Sequence, residues 1–234
     1  MTPRPAPALL ALALLAVGGA GCNPVTGFAE REVERALERA FGPADAYDVQ
    51  IEGLDAGAGT ARRVTVEGRR VRPEGAPVLD RVDAVLDGVR FDRDAKTLER
   101  AEGATIDVAV RPDDLAAFLV ASGRIEEAEV SFEAPDRLVL RARPDLGAIP
   151  LPPGAAVRVE GALRGEGARV VLDVERVEAA GIGLGGAAAD LLGDQVNPLL
   201  YLSESGGLEV TSIGVEGGAL RARAEGPLTD VRFD

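Results

Sequence analysis

Over much of the chain, apolar and polar residues alternate with a period of two. Such alternation is typical of β-strands with one buried and one solvated face. At Gly88 the alternation changes phase, because the apolar set continues as Val89 and Phe91, which predicts a bulge or a sharp bend. The alternating stretches are residues 47–51, 64–66, 82–86, 106–110, 128–132, 138–142, 157–159, 170–174, 208–210, 213–215 and 220–224.

Three other stretches have helical patterns. In residues 27–41 the apolar positions recur every three or four residues between Glu and Arg, which predicts an amphipathic helix ended by a Gly-Pro pair. Pro112 with two following aspartates predicts the start of a second helix, and residues 187–192 predict a short third one. With the strands between them, these helices predict an α+β fold with one long antiparallel sheet.

The first 22 residues have the features of an export signal. Arg4 precedes an apolar run over residues 6–17, and small residues lead to Cys22, the only cysteine. The run is shorter than the roughly 20 residues needed to span a bilayer. It resembles a bacterial lipoprotein signal in which the cysteine is acylated, although Gly19 stands where an aliphatic residue is usual. The alternative is an ordinary secretory signal cut near Cys22.

We therefore predict three segments. Residues 1–21 form a lipoprotein-type signal peptide, residues 22–27 a tether, and residues 28–234 a single α+β domain. A chain of this length fits one β-rich domain.

Composition narrows the function classes. The chain of 234 residues carries a formal net charge of -13, which argues against nucleic-acid binding and against a basic lipid-binding surface. It has no histidine, which excludes Ser-His-Asp triads and histidine zinc sites, and its single cysteine excludes internal disulfides and thiolate metal clusters. No catalytic residue, metal or cofactor is predicted, and membrane contact would need an anchor or an apolar rim.

Two local patterns suggest chemistry but have plainer interpretations. The acidic pairs lack calcium-loop spacing and are interpreted as solvated faces and helix first turns; they lie at residues 45 and 48, 92 and 94, 113–114 and 126–127. The glycine run in residues 181–186 approaches a dinucleotide-binding pattern, but its flanking strands are predicted to be antiparallel. We interpret it as a flexible, close-packed bend near the mouth of a groove.

The order of these elements resembles the LmeA-type family of bacterial envelope phospholipid-binding proteins. The likeness rests on the helix ending near Phe41, the hairpin over residues 49–66, the strand pair 79–91 and 106–110 leading into Pro112, and the closing residues 197–200 and 207–210. It covers residues 28–226. The resemblance implies a curved sheet wrapped around the N-terminal amphipathic helix, related to tubular, BPI-like folds, with acyl chains held between helix and sheet.

The leading hypothesis is a non-catalytic, extracytoplasmic protein that is anchored to a bacterial membrane by acylated Cys22. It binds or transfers a phospholipid or related amphiphile. The groove candidates are Val33, Leu37, Phe41, Leu115, Phe118, Leu119, Ile182, Leu184, Leu191, Leu192, Leu199, Leu200 and Leu202. A fully packed docking lipoprotein that binds an envelope protein or polymer is the main alternative. A hydrolase that uses two carboxylates is a third hypothesis.

Overall fold

The computed structural model describes residues 42–55, 57–92, 97–123, 125–144, 156–202 and 207–231. Two helices lie in these ranges, α1 (Pro112–Ala121) and α2 (Gly186–Val196). The strands are β1 (Ala46–Glu52), β2 (Thr60–Val71), β3 (Leu79–Asp92), β4 (Thr97–Val110), β5 (Ile125–Glu133), β6 (Arg137–Pro144), β7 (Val157–Glu166), β8 (Arg169–Ala179), β9 (Ile182–Gly183), β10 (Leu200–Tyr201), β11 (Glu209–Glu216) and β12 (Ala219–Val231).

The strands form two antiparallel sheets. The first sheet has the order β1-β2-β3-β4-β12-β11, so β12 returns to pair with β4, and β11 pairs with β12 at the edge. The second sheet has the order β10-β8-β7-β6-β5, and the short β9 pairs with β8. Most strands that are adjacent in a sheet are also consecutive in the chain and form hairpins, as expected for strands joined by short turns.

Helix α1 connects the two sheets. Proline at its first position removes one of the N–H groups that have no partner within the helix, and Asp113 and Asp114 lie in the first turn, where the helix dipole favours negative charge. Gly123, with a φ of 72°, follows its end and lets the chain turn into β5. The sequence pattern predicted the start of this helix correctly. Helix α2 is longer than predicted, because it begins at Gly186 and runs to Val196.

The β-rich antiparallel architecture is confirmed, but the strands divide between two sheets where one long sheet was expected. The reason is the position of α1, which takes the chain away from β4, so that β12 occupies the place beside β4. The predicted helix over residues 27–41 and Cys22 lie outside the described residues, and the domain bounds stay a prediction.

Two glycine regions can be compared with their predictions. Gly88 has a φ of 61°, and β3 keeps its register against β2 on either side of it, which indicates a sharp bend. Against β4 the register shifts two residues later, between Arg90 and Phe91. The glycine run in residues 181–186 is not close-packed. A Cβ atom placed on any of its four glycines would have no heavy atom within 4 Å beyond its chain neighbours.

Candidate functional site

The register of the first sheet places its apolar residues in transverse rows on one face. In one row Val49, Val66, Ala84, Ile106 and Ala224 are successive partners from β1 to β12. The next row contains Tyr47, Gly68, Val82, Val108, Ala222 and Ile213. Because side chains alternate between faces, these rows form one continuous apolar surface, which we call the inner face.

The inner face has two parts with different neighbours. The packed half comprises Val71, Leu79, Val108, Val110, Leu220 and Ala222, which share a core cluster with α1, α2 and the second sheet. The distal half comprises Val49, Ala61, Val64, Val66, Val89, Leu98, Ala101, Ala104, Ala224 and Leu228.

In the distal half, the buried residues come almost entirely from the first sheet. Among the described residues, Leu208 is the only buried member of this cluster outside the strands of that sheet. Ala168 and Leu202, at the turn after β7 and the end of β10, pack against it while partly buried. No buried residue of either described helix belongs to this cluster, so the described chain supplies only one layer of it.

A strip of inner-face residues on β3 and β4 is only partly buried. We call Val82, Ala84, Leu86 and Ile106 the half-exposed strip. Their partners on β2 are better covered, with Val64 and Val66 exposed by 5% and 7%. The inner residues of a middle strand are normally the best covered in a sheet, so the strip is apolar surface that the described side chains leave unfilled.

The opposite face of the same sheet is charged and solvated. Arg223 makes two hydrogen bonds to the carboxylate of Asp107 on the neighbouring strand, at 2.8 and 3.0 Å. Arg63 donates to Asp87 at 2.7 Å across β2 and β3. Exposed cross-strand pairs of this kind hold the register and contribute little to stability. An apolar ligand would therefore be accepted on the inner face alone.

An ion-pair network fixes α1 against the first sheet. Arg70, which has a φ of 52°, donates two hydrogen bonds to Asp114 in the first turn of α1, at 2.5 and 2.9 Å. The bonds to Asp114 raise the pKa of the Arg70 guanidinium. Asp80 on β3 accepts from Arg111, at 2.6 Å, and lies 3.8 Å from Arg70. This network borders an open surface concavity of about 460 Å³.

A second concavity, of about 480 Å³, lies beside the start of β8 and the end of α2. Asn197 pairs with the backbone of Leu172 there, since its amide oxygen accepts from the N–H at 2.7 Å and its amide nitrogen donates to the carbonyl at 2.9 Å. Arg164 pairs with Asp173 at 2.8 Å. Both concavities are thus lined by several charged residues, and neither resembles an apolar binding groove.

Several of the acidic residues considered for chemistry lie in ion pairs. Asp45 accepts from Arg72 at 2.6 Å, and Glu127 accepts from Arg143 at 2.9 Å. Within the described ranges, no group of three or more acidic side chains could hold a metal ion. None of the helices in those ranges is long and apolar enough to cross a membrane.

The predicted groove residues fall into four groups. Val33, Leu37, Phe41 and the lipidation candidate Cys22 lie outside the described residues. Five are fully packed in the core beside the packed half: Leu115, Leu119, Leu192, Leu199 and Leu200, all at most 2% exposed. Four are partly buried against the same core: Phe118, Leu184, Leu191 and Leu202. Ile182 is 69% exposed. The structure thus brings most of them together in one core, and their contact with lipid stays a prediction.

The half-exposed strip was not among the predicted site residues. The alternation of Val82, Ala84 and Leu86 showed that these residues share a face. It gave no sign of how well that face is covered, because period-two patterns are the same for a filled core and for a ligand surface. The only local signal was the small size of Ala84 and of its row neighbour Ala224.

The comparisons with known proteins give one match. The model of a family described as LmeA-like phospholipid-binding matches residues 23–225. Neither a curated protein nor a solved structure matches the chain. The matched segment includes every described strand from β1 to β11 and both described helices. Since the match covers most of the sequence, the chain belongs to the LmeA-like phospholipid-binding family.

Proposed function

We propose that this protein binds a phospholipid whose acyl chains lie against the half-exposed strip of the first sheet. The proposal rests on one observation: the side chains of Ala84, Leu86 and Ile106 are only partly buried, although they lie in the middle of an apolar face. Membership of a phospholipid-binding family supports the same ligand class. Binding needs no chemical step, so the function that we propose is lipid binding without catalysis.

The inner face suits an acyl chain because small side chains run along it. Ala84 and Ala224 lie on either side of Ile106 in one row, and Ala104 lies between Leu86 and Gly226 in the next row. These alanines leave more room than leucines would. Each Å² of acyl surface removed from water contributes about 25 cal/mol, so burying a single chain would supply enough free energy to hold a lipid. In this proposal, the amphipathic helix predicted over residues 27–41 forms the other wall.

The same proposal places the protein at a membrane. The predicted acylation of Cys22 would hold it beside a lipid source, and the tether over residues 22–27 would keep the binding face within reach of the bilayer. Anchoring, transfer and the extracytoplasmic location are therefore parts of the proposed function. They rest on the export-signal pattern of the sequence.

A pair of substitutions on one strand tests the binding site. Leu86→Asp places a carboxylate on the inner face, whereas Val85→Asp places one on the outer face, where its partners are Thr65 and Thr105. The full-length proteins would be purified and extracted with organic solvent, and the phospholipid per protein measured by mass spectrometry. We expect the wild type and Val85→Asp to retain phospholipid, and Leu86→Asp to lose most of it.

Two results would contradict the proposal. One is a wild-type protein without bound phospholipid that also takes up none from added mixed micelles of phospholipid and detergent. The other is equal phospholipid content in the two variants, provided that circular dichroism shows both to be folded.

A further inference from the structure

The inner-face residues of the first sheet change their spacing along one transverse line. Across this line two residues separate successive inner-face residues, where regular alternation would leave one. The pairs are Val64 and Ala61 on β2, Leu86 and Val89 on β3, and Ala104 and Ala101 on β4. Since Leu86 pairs with both Val64 and Ala104, the three wide spacings lie side by side. We call this line, which passes through Gly88, the crease.

Beyond the crease lies a last row of apolar residues, which we call the end row. It consists of Ala61, Val89, Ala101 and Leu228, in which Ala61 pairs with Val89 and Ala101 pairs with Leu228. All four are buried, at 1% to 6% exposure, and they share one cluster with the buried inner-face residues on the near side of the crease. Side chains on the concave side of a bend approach one another, so this shared cluster indicates that the sheet bends toward its inner face.

The half-exposed strip ends at filled apolar packing in both directions along β3. Leu86 is only partly buried, whereas Val89, beyond the crease on the same strand, is 1% exposed. In the other direction Val82 is followed by Leu79 of the packed half, which is 8% exposed. The strip is therefore an apolar surface of limited length.

The length of the strip is close to that of a membrane acyl chain. A strand rises about 3.3 Å per residue, so Val82 and Leu86 are separated by roughly 13 Å. The hydrocarbon core of a bilayer is about 30 Å thick, so the chains of one leaflet span about 15 Å. A single acyl chain lying along β3 would therefore reach from the packed half to the end row.

We propose that the end row stops the methyl end of the bound acyl chain and makes the protein selective for chain length. This inference rests on the proposed lipid-binding function and specifies its ligand. The methyl end lies against the end row because the side chains there are apolar and would leave an ester carbonyl without a hydrogen-bond partner. A longer chain must displace the buried end row or return to water. In apolar pockets one methylene too many changes discrimination by about tenfold or more.

Three valine variants test the end row in the full chain. Val89→Ala adds space beyond the strip, and Val89→Ile removes space. Val71→Ala is the matched control, since Val71 is also 1% exposed but belongs to the packed half. Each protein is incubated with mixed micelles of detergent and an equimolar series of saturated phosphatidylcholines, from dilauroyl to dibehenoyl. The protein is then isolated from the micelles, and its bound lipids are extracted and identified by mass spectrometry.

We expect the wild type to show an upper limit of chain length, beyond which the bound amount falls by roughly tenfold. Val89→Ala should move this limit to longer chains and Val89→Ile to shorter ones, while Val71→Ala keeps the wild-type limit. The same profile in all four proteins, or the same shift in Val71→Ala as in Val89→Ala, would overturn the inference. Circular dichroism checks the folding of each variant. If Val89→Ala does not fold, Val89→Ile decides, because it keeps a β-branched side chain in the strand.

The same measurement separates this inference from the proposed function. A wild type that binds phosphatidylcholines of every length equally would contradict selection by the end row and leave lipid binding intact. A wild type that takes up no phosphatidylcholine of any length would contradict the proposed function and this inference together.

Discussion

The packed half and the distal half of the inner face have the same alternating pattern but different neighbours. Leu79 and Leu220 in the packed half meet leucines and valines of α1 and the second sheet, which fill the space between the layers. The distal half shares its buried cluster with almost no other described element, and its middle contains the half-exposed strip. One sheet therefore provides both a structural core and an apolar ligand surface, and the difference depends on what lies opposite.

Hydrogen bonds and an ion pair attach the second sheet and α1 to the first sheet. The turns of the second sheet reach the edge strand β11, where the Val210 N–H donates to the Gly167 carbonyl and the Val215 N–H donates to the Pro135 carbonyl, both at 2.8 Å. Val210 pairs with Ala224 of the distal half, and Val215 pairs with Leu220 of the packed half. The second sheet is therefore attached along the length of β11, whereas the pairing of Arg70 with Asp114 attaches α1 to the first sheet.

The largest expected effect compares a leucine from each environment. Leu140 on β6 is fully buried in the core beside the packed half, and Leu140→Ala is expected to lower the free energy of unfolding by about 2–5 kcal/mol because it leaves a cavity. Leu86→Ala in the half-exposed strip should cost clearly less, since part of this side chain already faces unfilled space. Urea unfolding measures both. Equal losses would show that the two environments are equally well packed.

The next prediction concerns the attachment of α1. Asp114→Ala leaves the half-buried Arg70 with Asp80 at 3.8 Å as its remaining partner, and should cost about 1.5–3 kcal/mol, the usual worth of hydrogen bonds to charged groups. Glu52→Ala removes an exposed pair with Arg62 and should leave Tm nearly unchanged. Thermal unfolding followed by circular dichroism distinguishes the two. A small loss of stability for Asp114→Ala would mean that this ion-pair network contributes little to the attachment of α1 to the first sheet.

A third pair of substitutions adds the same side-chain volume in the packed half and in the half-exposed strip. Ala222→Leu overfills the packed half, where Ala222 is 2% exposed, and should destabilise the protein by about 1–3 kcal/mol. Ala84→Leu should be tolerated better, because Ala84 is only partly buried, and should instead lower the phospholipid content. Unfolding and lipid extraction are measured on the same preparations. The comparison fails if Ala84→Leu destabilises the protein as much as Ala222→Leu does.

The smallest expected effect depends on pH and lies on the second sheet. Arg158 donates to Glu160 at 2.7 Å, and this bond holds the pKa of the Glu160 carboxyl below its ordinary value. A folded-state pKa below the unfolded one stabilises the protein above about pH 4.3, and the contribution is lost as the pH falls through the folded pKa. The wild type should therefore exceed Glu160→Gln slightly in Tm at pH 7 and match it near pH 3. A constant difference across this range would contradict the assignment.

Much of the fold was predictable because local periodicity decides which residues share a face. The strands around Val49, Val66 and Ile106 and the start of α1 at Pro112 are where the sequence pattern predicts them. The division into two sheets was not predicted, because strand pairing between β4 and β12 joins residues more than 100 positions apart. Nothing in the local pattern specifies such a partner.

For single residues of the candidate site, too, the sequence pattern did not predict burial. Leu115 and Leu199 were predicted to line a groove; both are 1% exposed, and their contact with lipid stays a prediction. Ala84 and Leu86 were recognised as strand residues with a common face, but their incomplete cover depends on elements far away in the chain. Side-chain size and spacing are properties of the sequence, whereas exposure is a property of the assembled layers.

The sequence by itself determined the β-rich class, the exclusion of histidine-based catalysis and of internal disulfides, and the likeness to a phospholipid-binding family. Composition and short-range periodicity contain that information. Only the tertiary structure decided which half of the inner face is filled, where the half-exposed strip lies, and that Ile182 is 69% exposed. These features arise when segments distant in the chain pack together, since burial is set by the neighbours across a layer and not by the neighbours along the chain.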